Sequence, residues 1–278
     1  MNLKFVLNDY ILIWYLLFHQ SISVGLNNYK QKIWKNYYKE YMNLESEKEL
    51  ILQDPKNYIP DNDIIYDIMK DFDEYEEIYR QTEQYKVNIL KIWDEYKIRI
   101  NKELSQIIRF DIDTYYILFV NPDLNIIDLS LPNTNKINTI VYGKTKEQSD
   151  VQNVLEVIYA ILKRELREYS KKDQNIVEAI LELAVLNELG TRLTGQSHYL
   201  IGKSEYKLLK RQIYPYFLMY LGIDRDDLLS YMRRDGIVFD ISNYTNEVKL
   251  RKIDLKQFIN FCINNQKIIL RLDKLGVK

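Results

Sequence analysis

The chain has 278 residues, with 39 basic and 40 acidic side chains and a net charge of −1. That balance gives no global field to draw it to nucleic acid or to an anionic membrane. The single cysteine, Cys262, excludes an internal disulfide framework and any multi-cysteine metal site, and accords with a reducing compartment. Only 8 glycines and 5 prolines interrupt the chain, so long helices are expected in place of a many-turned β fold.

Residues 1–25 hold a lysine, an apolar run from Tyr10 to Phe18 and a small-x-small Ser-Ile-Ser, the ingredients of a secretory leader. Asn8 and Asp9 interrupt the approach to the run, and the run is too short to span a bilayer. A buried first helix in a cytoplasmic protein is therefore expected, with a secreted form as the alternative. Residues 9–43 read as two helical stretches anchored by Trp14, Leu17, Ile33, Trp34 and Tyr37. LQDPKNYIPDND (52–63) reads as a turn.

The strongest periodicity runs from Tyr75 to Ile107. Tyr75, Ile78, Thr82, Tyr85, Ile89, Trp93, Tyr96, Ile100, Leu104 and Ile107 recur at alternating steps of three and four, the pattern of one long amphipathic helix. Glu76, Glu77, Arg80, Glu83, Lys86, Lys91 and Glu95 fill its other face. A helix of this length packs along another helix or extends to a partner, so 75–107 is the expected surface for self-association or a protein partner.

After Phe110 the pattern changes. TYYILFV (114–120), NIIDLSL (125–131) and INTIVYG (137–143) are short β-branched and aromatic runs separated by Asn/Pro punctuation. They predict a small antiparallel sheet near 112–143. Helix resumes near 149, where Val154, Leu155, Ile158, Ile161 and Leu162 share one face. The stretch 174–189 is apolar nearly all round and belongs in the middle of a bundle. A further helix over 204–221 contains Pro215 and stops at Gly222. Helices over 224–234 and 254–272 follow, with a short extended piece at 237–241. The expected fold is mainly α (α+β), a multi-helix bundle with an inserted sheet. Its expected regions are 1–111, with the long helix, and 112–278, packed as one unit.

Two histidines, His19 and His198, preclude an HExxH zinc motif, and GxGxxG, GxxxxGK[ST] and GxSxG are all missing from the sequence. No metal and no cofactor is expected. The stretch NELGTRLTGQSHYLIGKSEY (187–206) stands out, with three glycines around Arg192, His198, Lys203 and Tyr206, the candidate binding residues. It also reads as a helix connection. Glu188 and Arg192 are spaced i, i+4, Gly190 or Gly195 supplies a helix end, and Ser204 starts the next helix.

INTIVYG, the following helix and IVEAILELAVLNELGTRLTG (176–195) together resemble zincin metallopeptidases. In that family a small sheet leads into a metal-binding helix, and a following helix supplies an acidic ligand. The resemblance implies that Glu178 or Glu182 stands at the acidic position. The window that should carry histidines reads VIYAILKRE (157–165), which implies a degenerate framework without hydrolytic metal chemistry. From the residues alone, Glu178 and Glu182 also read as the polar edge of a buried helix, held by cations on a neighbour. The spacing from Arg192 to His198 separately resembles HEPN ribonucleases, in which arginine and histidine act on the scissile phosphate. Leu193 departs from that pattern, where a polar residue usually follows the arginine. The expected function is a non-enzymatic helical scaffold or interaction protein. The alternative is a HEPN-like metal-independent ribonuclease using Arg192 and His198 as catalytic residues.

Overall fold

The computed structural model describes residues 1–19, 23–39, 74–129, 138–144, 149–196, 201–224, 227–228, 230 and 247–270. The expectations for 52–63 and 237–241, most of 224–234, and His198 lie outside these residues. The described chain is mainly helical with one mixed, mostly parallel four-stranded sheet. It forms two compact units that interleave in sequence, Met1–Glu95 with Ile112–Val154, and Tyr96–Asp111 with Leu155–Lys278.

In the first unit β1 (Asn2–Val6) leads into α1 (Asp9–Phe18) and α2 (Val24–Asn36). Asn8 starts α1, its side chain accepting the N–H of Tyr10 at 2.9 Å and of Ile11 at 3.1 Å. The apolar run over 10–17 is buried except at Trp14, which packs on the same core. The helix over residues 9–18 is thus a core element. Ile33 anchors α2, whereas Trp34 faces solvent at 42% exposure and stacks edge-on with Tyr38, so it is not the packing anchor the sequence suggested.

The long helix α3 (Glu74–Ile108) matches its expected span to within a residue at either end. Of the ten positions read as its apolar face all but Tyr96 are buried, so the stripe is consumed inside the protein. What the helix leaves to solvent is charged, apart from a few positions such as Val87 and Ile98.

The sheet corrects the expectation of an antiparallel insertion. Its strands β2 (Thr114–Phe119), β3 (Ile126–Asp128) and β4 (Asn138–Gly143) are joined by β1 in the order β1-β2-β4-β3. β1 pairs with β2 and β2 with β4 in parallel; only β3 runs antiparallel to β4, at the edge. The physical reason is burial. Most of β2 and β4 is shut away from water, as central parallel strands require, while β3 is half-buried throughout. Gly143 lets β4 end against β2, because a Cβ there would meet the Val120 side chain at 2.7 Å and the Val120 and Asn121 carbonyl oxygens at 2.9 Å.

The second unit is built on α4 (Asp150–Glu165, from Leu155 on) and α5 (Gln174–Leu181). Asp173 caps α5, accepting the Ile176 N–H at 3.0 Å. The winding then loosens to a π-helix over Glu182–Leu189 and returns to α6 (Gly190–Thr194). Gly195, at φ 75°, ends it, and Gly190 lies inside the helix. After a single turn at Ser204–Tyr206, α7 (Lys207–Leu221) carries Pro215 within it. Ser204 therefore begins a 3-10 turn, and the α-helix proper starts at Lys207. A reciprocal cap between Asp254 and Gln257 starts α8 (Leu255–Asn264). α5 is buried on nearly all sides, with Phe217 and Tyr220 of α7 against Phe258 of α8 nearby in the core.

Candidate functional site

A helix buried on all sides must find partners for every polar side chain it carries. α5 and its π-helical continuation carry three that are buried: Glu178, Glu182 and Asn187. The two carboxylates are each 1% exposed and lie four residues apart. Each draws a cation from a neighbouring helix. Lys163 of α4 pairs with Glu178, whose other oxygen accepts the hydroxyl of Tyr159. Lys210 of α7, itself 3% exposed, lies 3.1 Å from Glu182 Oε2. Both pairs are held by charge more than by alignment, since neither Glu178 Oε1 nor Glu182 Oε2 has a well-directed hydrogen bond.

The π-helix explains how Asn187 joins the group. Its i→i+5 bonding widens the turn, which brings residues five apart toward one face, and such segments recur at functional sites. Glu182 and Asn187 are five apart and both reach Lys210, Asn187 Oδ1 accepting from its Nζ at 3.1 Å. The Asn187 amide turns its nitrogen to the Ile201 carbonyl at 2.8 Å. The Lys203 N–H donates to Glu182 Oε1 at 2.9 Å.

Burial lowers the pKa of Lys210, and Glu182 beside it opposes that shift. Burial first, then the Glu178 charge, pushes the Tyr159 phenol far up, so it stays a neutral donor. Tyr206 is pushed up to about 12 by burial, by its hydrogen bond to Glu205 and by nearby Glu178. Chemically the cluster is two carboxylates neutralised by two ammonium groups and capped by a phenol. Its carboxylates, its ammonium groups and the Tyr159 phenol are all engaged with one another inside the unit.

The sequence-predicted residues fall into two groups. Glu178 and Glu182 lie at the centre, Lys203 reaches Glu182 through its backbone, and Tyr206 is buried with its pKa responding to both carboxylates. The Lys203 side chain points outward, with its ammonium 5.4 Å from the Tyr206 ring and 3.9 Å from Glu205. Arg192 belongs to a different network. Its Nε donates to Glu188 at 2.7 Å, and Nη1 donates to Glu103 at 3.1 Å and Gln106 at 3.0 Å. Sequence reasoning missed Tyr159, Lys163, Asn187 and Lys210. The i, i+4 spacing of Tyr159 and Lys163 on a helix next to a buried glutamate was the available signal.

Among the described residues no group of three or more His, Cys, Asp or Glu side chains is placed to hold a metal ion. No described helix is long and apolar enough to cross a membrane. No protein-family model, curated protein or solved structure matches the chain.

Proposed function

We propose that this chain is a non-enzymatic interaction protein on a zincin-like framework whose metal position is filled by an internal ion cluster. The supporting observation is the convergence of Tyr159 and Lys163, one helical turn apart on α4, on the Glu178 carboxylate of the next long helix. In HExxH proteins that i, i+4 pair is two histidines on one helix face, with the glutamate after the first histidine as general base. Here Ala160 takes the place of that glutamate. The pair does not fit zinc. A phenol held neutral and an ammonium replace neutral imidazoles, and the ammonium already neutralises the carboxylate a metal would need. The charge is spent on holding the unit together, leaving the surface for function. The partner surface in this reading is the solvent side of α3, where Val87 and Ile98 stand among charged residues.

The experiment restores the ligands. Tyr159→His with Lys163→His should take up zinc stoichiometrically by calorimetry, Glu178→Ala in that background should abolish uptake, and the natural sequence should bind none. A folded double variant that takes up no zinc would remove the framework from the proposal. Peptide hydrolysis by the natural chain would remove its non-enzymatic part. The rival HEPN-like ribonuclease needs the Arg192 guanidinium for a phosphate. Its engagement by Glu103, Glu188 and Gln106 favours the interaction reading.

A further inference from the structure

Three buried polar side chains of the second unit are spent on the backbone of one short segment. The Ile201 carbonyl accepts from Asn187 Nδ2 at 2.8 Å and from Lys210 Nζ at 2.9 Å. Two residues on, the Lys203 N–H donates to Glu182. Between them Gly202 has φ +126°, and a Cβ there would collide with the Glu182 carboxylate. Glycine is thus required twice over, for its backbone angle and for the closeness of the approach. The side chains of Lys203, Ser204 and Glu205 face solvent, and Tyr206 is the buried one. A segment attached mainly through a few polar contacts, with Tyr206 as its one buried side chain, sits at the low end of local stability.

We propose that Ile201–Tyr206 is a strap closed over the Glu182 end of the cluster, with Lys210 as its bolt. The Lys210 ammonium is seated among three oxygens: Glu182 Oε2 at 3.1 Å, Asn187 Oδ1 at 3.1 Å and the Ile201 carbonyl at 2.9 Å. The ligand class of this seat is a primary ammonium, supplied here by the chain itself. One group neutralises the carboxylate and fastens the strap, so the two events are coupled. Opening breaks the bonds at Ile201 and Lys203 and leaves the apolar packing of α5, α7 and α8 intact. With Lys210 truncated to alanine, the vacated seat accepts a primary amine from outside. The inference stands apart from the zincin-like reading, because none of these contacts involves Tyr159 or Lys163.

Hydrogen–deuterium exchange of the full chain tests it. The Lys203 amide should exchange by local opening, faster and with less denaturant dependence than the Ile180 and Leu181 amides of α5. In Lys210→Ala the Lys203 amide should exchange about tenfold faster or more, the effect of losing one charged hydrogen bond. Propylammonium, which replaces the three methylenes and ammonium that alanine lacks, should slow it again, whereas propanol and sodium should not. Should Lys210→Ala fail to fold, Asn187→Leu removes one of the two donors on the Ile201 carbonyl and should accelerate the same amide. Lys203 exchanging in step with Ile180 in the natural chain would overturn the strap, as would unchanged exchange in Asn187→Leu. Propylammonium, propanol and sodium acting alike would overturn the ammonium seat.

Discussion

Arg192 is the residue on which the two functional readings part most sharply. Burial by itself would lower its pKa, but the hydrogen bonds and charges of Glu188 and Glu103 outweigh that and raise it. Its side chain remains 26% exposed, so each pair is weaker than a sealed one, and the value lies in two carboxylates sharing one guanidinium. The network ties the part of α3 from Tyr96 onward to the end of α6, with Arg99 adding a 2.5 Å bond to the Arg192 carbonyl. Arg192→Ala should therefore destabilise the protein by about 1–2 kcal/mol in chemical denaturation, more than one exposed pair gives. A double-mutant cycle with Glu103→Gln should show coupling between the two. A catalytic arginine predicts the opposite, lost ribonuclease activity with stability unchanged.

Individual helices were legible to different degrees, and α3 was the clearest. Its apolar steps of three and four repeat for nearly ten turns, so no local conflict obscured the period, and its buried face followed directly. The sheet was not legible in its pairing. Short apolar runs specify strands but not neighbours, and β1 was hidden in a segment that also reads as the start of a leader. The ion cluster was half legible: Glu178 and Glu182 stood out against an apolar helix. Their cations came from helices 15 residues upstream of Glu178 and 28 downstream of Glu182, at Lys163 and Lys210, where side-chain spacing within one helix says nothing. The π-helix left no mark in the sequence at all. For α3, burial of the stripe leaves only the opposite, solvent side to the partner surface proposed above. Ile98 is 82% exposed, and burying it in an interface would gain about 1.5–3 kcal/mol. Ile98→Asp should weaken self-association or partner capture at least tenfold by analytical ultracentrifugation or calorimetry, with the melting temperature nearly unchanged. Equal association of both forms would return α3 to a purely internal role.

Across the whole molecule the 24 tyrosines are the compositional feature with the widest physical consequence. Both units bury phenols beside carboxylates. Tyr15 donates to Asp128 and Tyr75 to Asp9, each at 2.5 Å, while Tyr159 donates to Glu178. Burial, then the neighbouring negative charge, pushes all three well above the ordinary phenol value of 10.0. Tyr206 moves the same way, to about 12. These groups bind their protons more tightly in the folded chain than in the unfolded one. Their contribution is fully present below about pH 10 and is lost as the pH rises above it, because the unfolded chain ionises first. For Tyr206 that window runs from about 10 to about 12. Each such phenol removes up to about 1.4 kcal/mol of stability per pH unit within its window. Several acting together should lower the urea midpoint steeply between about pH 10 and 12, where exposed phenols would leave it nearly flat. The accompanying tyrosinate absorbance should rise in one step that coincides with loss of helical circular dichroism. Gradual ionisation near pH 10 with the helices intact would show that these phenols reach water in the native state, against the burial on which the account depends.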